Sequence, residues 1–497
     1  MDNLFYQLAL FIDRFLPPSE KSLHTARFAR LTETTTLTTK GLDKEGLLLG
    51  LGKFGRALQV RSTRRRPELG NVLVVAPTHG GKGLLAISQL LTWPHSVVVN
   101  DIKGDLFTQT AGYRKTLGEV YVIDPSGAAN RYDPLLNKTG ESELLSSATN
   151  LLHKADEGEG AIFTQRAIVM LTQIFIAARL MATPLLAFAR EVVRLGLFGA
   201  ATRLQALNPE LATQFLDINY NHADFQDKFL VSCWGTLSAR LRLLLTQESV
   251  RCFSGVDFTA EDIMRAPRPV TLYLRWPERD LLSLSPLIRL VWKSLIDELT
   301  YAYDSCNGLN CRPVLLLVDE AGRTAIPSLS EFATTINGRG ISLWIAIQSL
   351  SQLDAVYGCS YARILRDNMD SQIYYRPCDQ ETAEYLQKCL GYQSGFARSE
   401  SDHQGVVSSS KSEREIPLLT AQAIKQLEDD DILIFHRNLA PIKAQRMDWR
   451  LFKRLKERAR LAPPLVLPRE ELKEAVAPRR ESIVSWHASR RADRLFT

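Results

Sequence analysis

The sequence has no cysteine or histidine spacing typical of a metal site or a disulfide framework. Its seven cysteines include no CxxC pair and are odd in number, and its eight histidines form no HExxH motif. In a chain of 497 residues, this usage favours reduced, mostly buried thiols in a cytoplasmic compartment. It argues against a dedicated cysteine–histidine zinc cage.

A long hydrophobic run is also missing. Residues 1–16 have one apolar helical face, but acidic residues interrupt the segment and Pro17 ends it, whereas a membrane-spanning helix needs about 20 apolar residues. The stretch Ala167–Ala178 is apolar but short, and Arg166 and Arg179 border it, so we interpret it as a buried helix. The sequence predicts no transmembrane segment and no signal peptide.

Excess positive charge is confined to the end of the chain. Residues 451–497 contain 12 Lys/Arg and 6 Asp/Glu, so the surplus of six in the whole chain (61 against 55) leaves 49 of each in residues 1–450. This excludes a uniformly basic nucleic-acid-binding protein but leaves a basic tail. The 45% of hydrophobic and 23% of charged residues are typical of a globular chain.

Alternating apolar runs and helical segments predict an α/β fold with an all-α insertion. We expect buried strands followed by turns or helices in a parallel sheet, at 71–75, 96–101, 120–124, 270–276, 314–318, 342–349, 371–376 and 432–437. Helical periodicity dominates at 142–155, 160–182, 184–207 and 227–247. The predicted domains are an N-terminal amphipathic helix and linker (1–40), a nucleotide-binding domain (41–127 and 266–455), the helical insertion (128–265) and a basic tail (456–497). The serine-rich segment 394–414 predicts a polar loop.

The motif APTHGGKG at 76–83 lies between a buried strand and a helix, which is the context of a phosphate-binding loop. Glycines allow backbone N–H groups to surround an anion at a helix N-terminus, and the ammonium of Lys82 would bind the β- and γ-phosphates. Ala76 replaces the usual first glycine, and Gly83 replaces the Ser/Thr that binds Mg²⁺. An ordinary glycine-rich turn also fits the motif taken alone. The candidate nucleotide-binding residues are Pro77, Thr78, His79, Gly80, Gly81, Lys82, Gly83 and Leu84.

The run VLLLVDEA at 314–321 places two carboxylates at the carboxyl end of a predicted strand, where ligands bind in open α/β sheets. Asp319 is the candidate ligand of Mg²⁺, and Glu320 is the candidate residue that orients or deprotonates the attacking water. The two motifs together predict an ATPase that uses ATP and Mg²⁺.

Several blocks of the sequence are similar to the type IV secretion coupling proteins of the TraG/TraD kind, over roughly residues 45–455. Besides the two nucleotide motifs, the resemblance is carried by SVVVNDIKGDLF (96–107), YVIDPSG (121–127), NGRGISLWIAIQSLSQLDAVYG (337–358), ETAEYLQKCLG (381–391), PLLTAQAIKQL (417–427) and IFHRNLAPIKAQ (434–445). The resemblance implies a RecA-like P-loop NTPase core with an inserted all-α domain, assembly into hexameric rings, and transport of DNA or protein substrates into a secretion channel.

The resemblance also suggests roles for individual residues. Gln348 resembles the γ-phosphate sensor of the family, and Arg339 resembles an arginine that completes the site of a neighbouring subunit. A solvated loop arginine fits Arg339 equally well. Asp101, Lys103 and Asp105 match a family block without an assigned chemical role, and we expect a turn held by local charge pairs there.

The expected partners are DNA with its relaxase and a secretion-channel or membrane-anchoring protein. Candidate DNA contacts are the cluster Arg61–Arg66, the pair Arg240 and Arg242, and arginines of the tail (Arg479, Arg480, Arg490, Arg491 and Arg494). Family members usually begin with two transmembrane helices, whereas one short amphipathic helix precedes the phosphate-binding loop here. Either a separate protein anchors this ATPase or it works away from a membrane, and we expect a cytoplasmic protein held at the inner membrane through a partner. Two alternatives remain open: an intracellular DNA translocase of the FtsK/HerA kind, and a docking platform that nucleotide only stabilises.

Overall fold

The computed structural model of the chain describes residues 25–466 apart from 40, 43–44, 65, 127–128, 153–159, 325 and 404–405, and it leaves the side chains of 396–413 undescribed. The predicted amphipathic helix at 1–16 and the tail beyond residue 466 lie outside the described residues. The chain divides into two compact units. The first contains the described residues up to Gly118 together with Pro267–Pro269 and Asn307–Pro463, and the second contains Glu119–Ala266 and Val270–Cys306.

Fourteen strands and seventeen α-helices are found in the described part of the chain. The strands are β1 (Thr38–Thr39), β2 (Leu47–Leu51), β3 (Ala57–Val60), β4 (Val72–Val75), β5 (Ser96–Asp101), β6 (Glu119–Ile123), β7 (Val270–Arg275), β8 (Val314–Val318), β9 (Ile341–Ile347), β10 (Ser371–Tyr375), β11 (Tyr392–His403), β12 (Val406–Pro417), β13 (Asp431–His436) and β14 (Ile442–Gln445). The helices are α1 (Lys82–Thr92), α2 (Asp105–Leu117), α3 (Glu141–Leu152), α4 (Ala161–Leu180), α5 (Leu185–Arg194), α6 (Gly196–Leu207), α7 (Pro209–Leu216), α8 (Lys228–Leu244), α9 (Gln247–Cys252), α10 (Ala260–Arg265), α11 (Leu281–Asp304), α12 (Leu329–Thr335), α13 (Leu350–Tyr357), α14 (Cys359–Asp367), α15 (Gln380–Leu390), α16 (Ala421–Lys425) and α17 (Lys453–Ala459).

The first unit is built on a mixed sheet whose strands follow the order β1-β3-β2-β14-β13-β10-β4-β9-β8-β5. The five strands from β10 to β5 are parallel, and β13 joins them antiparallel to β10. Every residue of β4, β8 and β9 is buried, and all of them are apolar except Ser342 in β9, as expected for parallel strands covered on both faces. Their carboxyl ends meet at one edge of the sheet, which positions the candidate site.

The second unit contains the parallel pair β6–β7 and the helices α3 to α11. Among the described residues, α4 is the one helix that is long and apolar enough to cross a membrane, but 61% of its most apolar segment is buried inside the protein. It packs against α3, α5, α7 and α8, which favours the interpretation as a core helix. This unit also includes β6, β7 and α11, which the sequence assigned to the nucleotide-binding domain, and the predicted domain boundaries stay a prediction.

The expectation of a polar loop at 394–414 was wrong, because this segment forms two antiparallel strands. Strands β11 and β12 pair in continuous register from Tyr392 opposite Pro417 to His403 opposite Val406. Backbone N–H and C=O groups pair along a hairpin whatever the side chains are, so a serine-rich composition does not exclude a strand.

Candidate nucleotide-hydrolysis site

The loop between β4 and α1 has the conformation of an anion-binding turn. His79 and Gly81 have left-handed backbone conformations, with φ of 63° and 108°, and Gly80 N donates to Pro77 O at 2.9 Å. Helix α1 then begins at Lys82, so the first free N–H groups of the helix and the positive end of its dipole face the loop. Gly81 allows this conformation without the strain that a side chain would cause.

Four of the predicted site residues lie together at the carboxyl edge of the parallel strands. Lys82 Nζ donates to Glu320 Oε1 at 2.7 Å, and Gln348 Nε2 donates to Glu320 Oε2 at 3.3 Å. Thr78 Oγ1 lies 3.4 Å from Gln348 Oε1. The phosphate-binding loop, the end of β8 and the end of β9 are therefore joined by one chain of hydrogen bonds that centres on Glu320.

Glu320 combines burial with a constrained backbone. Its side chain is 3% exposed, and its φ of 59° lies in the left-handed region, which costs about 1–3 kcal/mol for a residue that is not glycine. The hydrogen bond from Arg323 N to Glu320 O at 2.8 Å holds this turn. Burial raises the pKa of Glu320, but hydrogen bonds and charges from Lys82 and Lys103 outweigh it and place the pKa below its usual range. The carboxylate is thus ionised at neutral pH.

Asp319 fits the role of a Mg²⁺ ligand. Its Oδ1 is buried and has no hydrogen-bond partner within the described residues, and an orphaned carboxylate oxygen of this kind calls for a cation. Burial raises the pKa of Asp319 to about 6, against the attraction of Lys82. No cluster of three or more His, Cys, Asp or Glu side chains that could hold a metal occurs among the described residues. A Mg²⁺ ion here would therefore complete its shell with phosphate oxygens and water, as this ion usually does.

Lys103 belongs to the site although the sequence indicated only a structural turn. Its Nζ lies 3.3 Å from Glu320 Oε1, and its side chain is 47% exposed. Strands β5 and β8 are parallel neighbours in which Asn100 lies opposite Val318, so a lysine three residues after Asn100 reaches the same edge as Glu320. That shared edge becomes visible only once β5 and β8 are known to be neighbours.

The turn after β5 is held by hydrogen bonds from backbone N–H groups to Asp101, and the expected local charge pairs stay a prediction. The buried carboxylate of Asp101 accepts from Gly104 N at 2.8 Å and from Phe107 N at 2.7 Å. It thereby satisfies N–H groups at the start of α2, whose first residue is Asp105. Asp101 positions the turn, and the side chain of Lys103 extends from this turn to Glu320.

Two further side chains that sequence reasoning missed lie beside the phosphate-binding loop. A carbon added at the Cα of Gly81 would lie 3.4 Å from Tyr375 Cε1 and 3.6 Å from Arg446 Nη1. Arg446 Nε is paired with Asp430 Oδ1 at 2.7 Å, and the buried Tyr375 hydroxyl has no partner among the described residues. A guanidinium group next to Gly81 adds positive charge to the place where phosphates would bind.

Arg339 lies apart from these residues in the same chain. It ends the 3₁₀ turn Asn337–Arg339, which precedes β9, and its Nη1 donates to Thr335 O at 3.2 Å. Gln348 follows the other end of β9, a strand of seven residues, so the two are separated by roughly 20 Å of strand. Any role for Arg339 in hydrolysis therefore requires the site of another subunit.

The candidate DNA contacts differ in how they are used inside the chain. Arg240 donates to the carbonyl of Leu152, and Arg61 Nη2 donates to Thr36 O at 3.0 Å, so both have local structural roles. Arg242 is exposed. The arginines of the tail lie outside the described residues.

Comparisons with known proteins agree with the architecture. Residues 20–473 match the sequence profile of the family described as "Type IV secretory system Conjugative DNA transfer". The chain is 29% identical over 484 residues to the VirD4 protein of Rhizobium radiobacter. The aligned region covers 92% of this chain and 68% of that protein. It is 27% identical over 359 residues to the conjugal transfer protein TraG of Escherichia coli, covering 65% of this chain and 55% of that protein. The chain thus spans about two thirds or less of the length of these relatives.

Solved structures of the bacterial conjugative coupling protein TrwB share the fold. The unbound form has a TM-score of 0.62 and 18% identity, covering 87% of this chain and 95% of that one. The complex of TrwB with ADP and Mg²⁺ has a TM-score of 0.60 and 19% identity, covering 91% and 97%. The predicted α/β fold, a RecA-like core with an all-α domain, is confirmed. Because the profile match covers most of the sequence, the chain belongs to the family of type IV secretory system proteins for conjugative DNA transfer.

Proposed function

We propose that this chain is an ATP-hydrolysing coupling protein that recruits DNA or a nucleoprotein and moves it into a type IV secretion channel. The observation that carries the proposal is the arrangement of Lys82, Glu320 and Gln348 at the carboxyl edge of three parallel strands. A basic group for phosphates, an ionised carboxylate for water and an amide that contacts this carboxylate are the parts that phosphoryl transfer to water requires.

Each residue of the site has its own role in hydrolysis. The loop amides and Lys82 bind the phosphates of ATP, and Arg446 adds charge beside Gly81. Glu320 orients the attacking water and accepts its proton, because its low pKa keeps it ionised. Gln348 contacts both Glu320 and Thr78 of the loop, so it can couple phosphate binding at the loop to the position of Glu320, the base. Asp319 would hold Mg²⁺, which neutralises the charge that develops on the phosphates.

Lys82 has two possible partners in this scheme. Its ammonium is bound to Glu320, and a γ-phosphate in the loop would compete with that carboxylate for the same group. We infer that phosphate binding loosens the Lys82–Glu320 pair and frees Glu320 to contact water. The pair thereby couples substrate binding to activation of the base.

The wider biological setting is part of the same proposal. Family membership supports DNA and its relaxase as substrate and a secretion-channel or membrane-anchoring protein as partner. A hexameric ring would give Arg339 a neighbouring site to act on. The seven cysteines are all free thiols, which supports a reducing, cytoplasmic location next to the inner membrane.

The test is ATP turnover by the purified chain with no DNA, with single-stranded DNA and with double-stranded DNA, alongside sizing in the presence of nucleotide. We expect DNA to stimulate turnover and nucleotide to promote assembly. Lys82→Ala should lose nucleotide binding, because it removes the charge that neutralises the phosphates. Nucleotide binding and assembly without any turnover, with or without DNA, would instead indicate a docking platform. Stimulated turnover without a relaxase or channel protein in the same genomic neighbourhood would favour an intracellular translocase.

A further inference from the structure

The second unit contains a cleft with three arginines at its rim. It lies between α5 and α8 and has a volume of about 310 Å³. Arg190 and Arg194 contribute to it from α5, and Arg242 from α8. Arg190 and Arg194 are four residues apart and share one face of their helix, so the three guanidinium groups surround one opening.

These arginines are free to bind a ligand. No ion pair or hydrogen bond of the three is found within the described part of the chain. The pKa of the exposed Glu248 is lowered chiefly by a backbone hydrogen bond and in smaller part by the charge of Arg190. Arg240, two residues before Arg242 on α8, instead donates to the carbonyl of Leu152. Guanidinium groups bind carboxylates and phosphates in a forked geometry. Three unpaired guanidinium groups around one cleft therefore indicate a site for an anionic group.

The floor of the cleft is apolar. It is formed by Val193, Leu241 and Leu245, which are 3%, 1% and 4% exposed, and the neighbouring Leu243 is 68% exposed. An apolar floor under a charged rim suits an anionic group that is attached to an aliphatic stem. Its volume lies near the lower end of the range for ligand pockets, so it suits one or two side chains rather than a whole domain.

The surroundings favour a protein ligand over DNA. Single-stranded DNA is usually bound by a basic path with aromatic side chains on which bases stack, and none of the described residues that line this cleft is aromatic. Glu191 follows Arg190 in the sequence, and Glu248 lines the adjoining cleft. Both side chains are exposed. These carboxylates interrupt the positive charge that a continuous polyanion needs, whereas the spaced carboxylates of a short peptide segment can contact the arginines between them.

We propose that this arginine-rimmed cleft binds an acidic segment of a partner protein. Aspartate, glutamate or C-terminal carboxylates of that segment contact Arg190, Arg194 and Arg242, and an adjacent aliphatic side chain occupies the floor. The site goes beyond the proposed ATPase function and needs no nucleotide. A failure of the ATPase assignment would leave it intact.

The test uses the full chain and three probes that carry an uncharged fluorophore. The probes are a pentapeptide of alternating leucine and glutamate with a free C-terminus, the same peptide with glutamine for glutamate and an amidated C-terminus, and a 20-nucleotide oligo-thymidine. Binding is followed by fluorescence anisotropy for wild type and for the triple variant Arg190→Gln, Arg194→Gln, Arg242→Gln. Lys228→Gln at the opposite end of α8 is the control for loss of one positive charge, and thermal unfolding shows whether each variant folds.

We expect the acidic peptide to bind wild type and Lys228→Gln alike and to bind the triple variant at least about tenfold more weakly. The amide peptide should bind every variant weakly. Three outcomes overturn the proposal: no binding of the acidic peptide at millimolar concentration, equal binding to the folded triple variant, or arginine-dependent binding of the oligonucleotide alone. The last result would identify a nucleic-acid surface. If the triple variant fails to fold, the three single glutamine variants replace it, and each is expected to weaken the acidic peptide about threefold.

Discussion

The ammonium groups of Lys82 and Lys103 contact the same oxygen of Glu320, at 2.7 Å and 3.3 Å. Lys82 begins the helix after the phosphate-binding loop, whereas Lys103 lies in the turn after the neighbouring strand β5. We propose that Lys103 keeps the carboxylate in its charged form when Lys82 binds a phosphate, which would make Lys103 a positioning lysine in addition to the phosphate-binding one.

Replacing Lys103 should shift the pH dependence of hydrolysis. In Lys103→Gln one nearby positive charge is lost, so the carboxylate of Glu320 becomes harder to ionise and its pKa rises. The acidic limb of the profile of kcat against pH should move to higher pH, whereas kcat at pH 7, well above that limb, should stay close to the wild-type value. The shift should be modest because Lys103 is half-exposed and water screens its charge.

Lys103→Arg is the matched control, since it keeps the charge and should keep the wild-type limb. A Lys103→Gln enzyme with an unmoved acidic limb would show that Lys103 has no part in charging Glu320. The exposed Lys115 on α2 offers a second control, because Lys115→Gln removes the same charge from the following helix.

Arg446 should contribute to nucleotide binding more than to the chemical step. Its guanidinium group lies beside Gly81, so Arg446→Gln should raise the KM for ATP about tenfold with a smaller change in kcat. Lys443 lies on β14, which ends one residue before Arg446, and it is exposed and paired with Asp431. Lys443→Gln should leave both constants unchanged. Equal KM values for wild type and Arg446→Gln would assign the residue to its ion pair with Asp430 alone.

Arg339 should act only in an assembly. Arg339→Ala is expected to bind ATP yet fail to hydrolyse it, because the residue is far from the site of its own chain. Mixing it with Lys82→Ala should restore part of the turnover, since an intact Arg339 of one variant can face an intact Lys82 of the other. The readout is turnover across mixing ratios with subunit exchange confirmed. No recovery at any ratio would indicate a solvated loop arginine.

The parallel strands of the first unit could be predicted because apolar runs dominate them. The runs at 72–75, 97–99 and 314–318 are fully buried, and such runs have few other structural solutions. The phosphate-binding loop and the acidic pair followed from their places at strand ends. The hairpin β11–β12 could not be predicted, since its backbone pairing leaves no trace in a serine-rich composition.

The parts of the site that escaped prediction depend on contacts between distant segments. Lys103 meets Glu320 across 217 positions of sequence, and Arg446 meets the phosphate-binding loop only because β14, β13 and β10 return the chain to that edge. A strand order cannot be deduced from spacing in one sequence, so residues that the sheet brings together remain hidden until the topology is known.

The most direct test of the account is ATP turnover by Glu320→Gln. The substitution keeps the size of the side chain and removes the charge that accepts the proton, so nucleotide binding should persist while turnover falls at least about a hundredfold. Binding is measured with a fluorescent ATP analogue and turnover by phosphate release, in the presence of DNA. Preserved binding with lost turnover is the predicted result. Turnover comparable to that of wild type would contradict the assignment of Glu320 as the base and with it the hydrolytic mechanism.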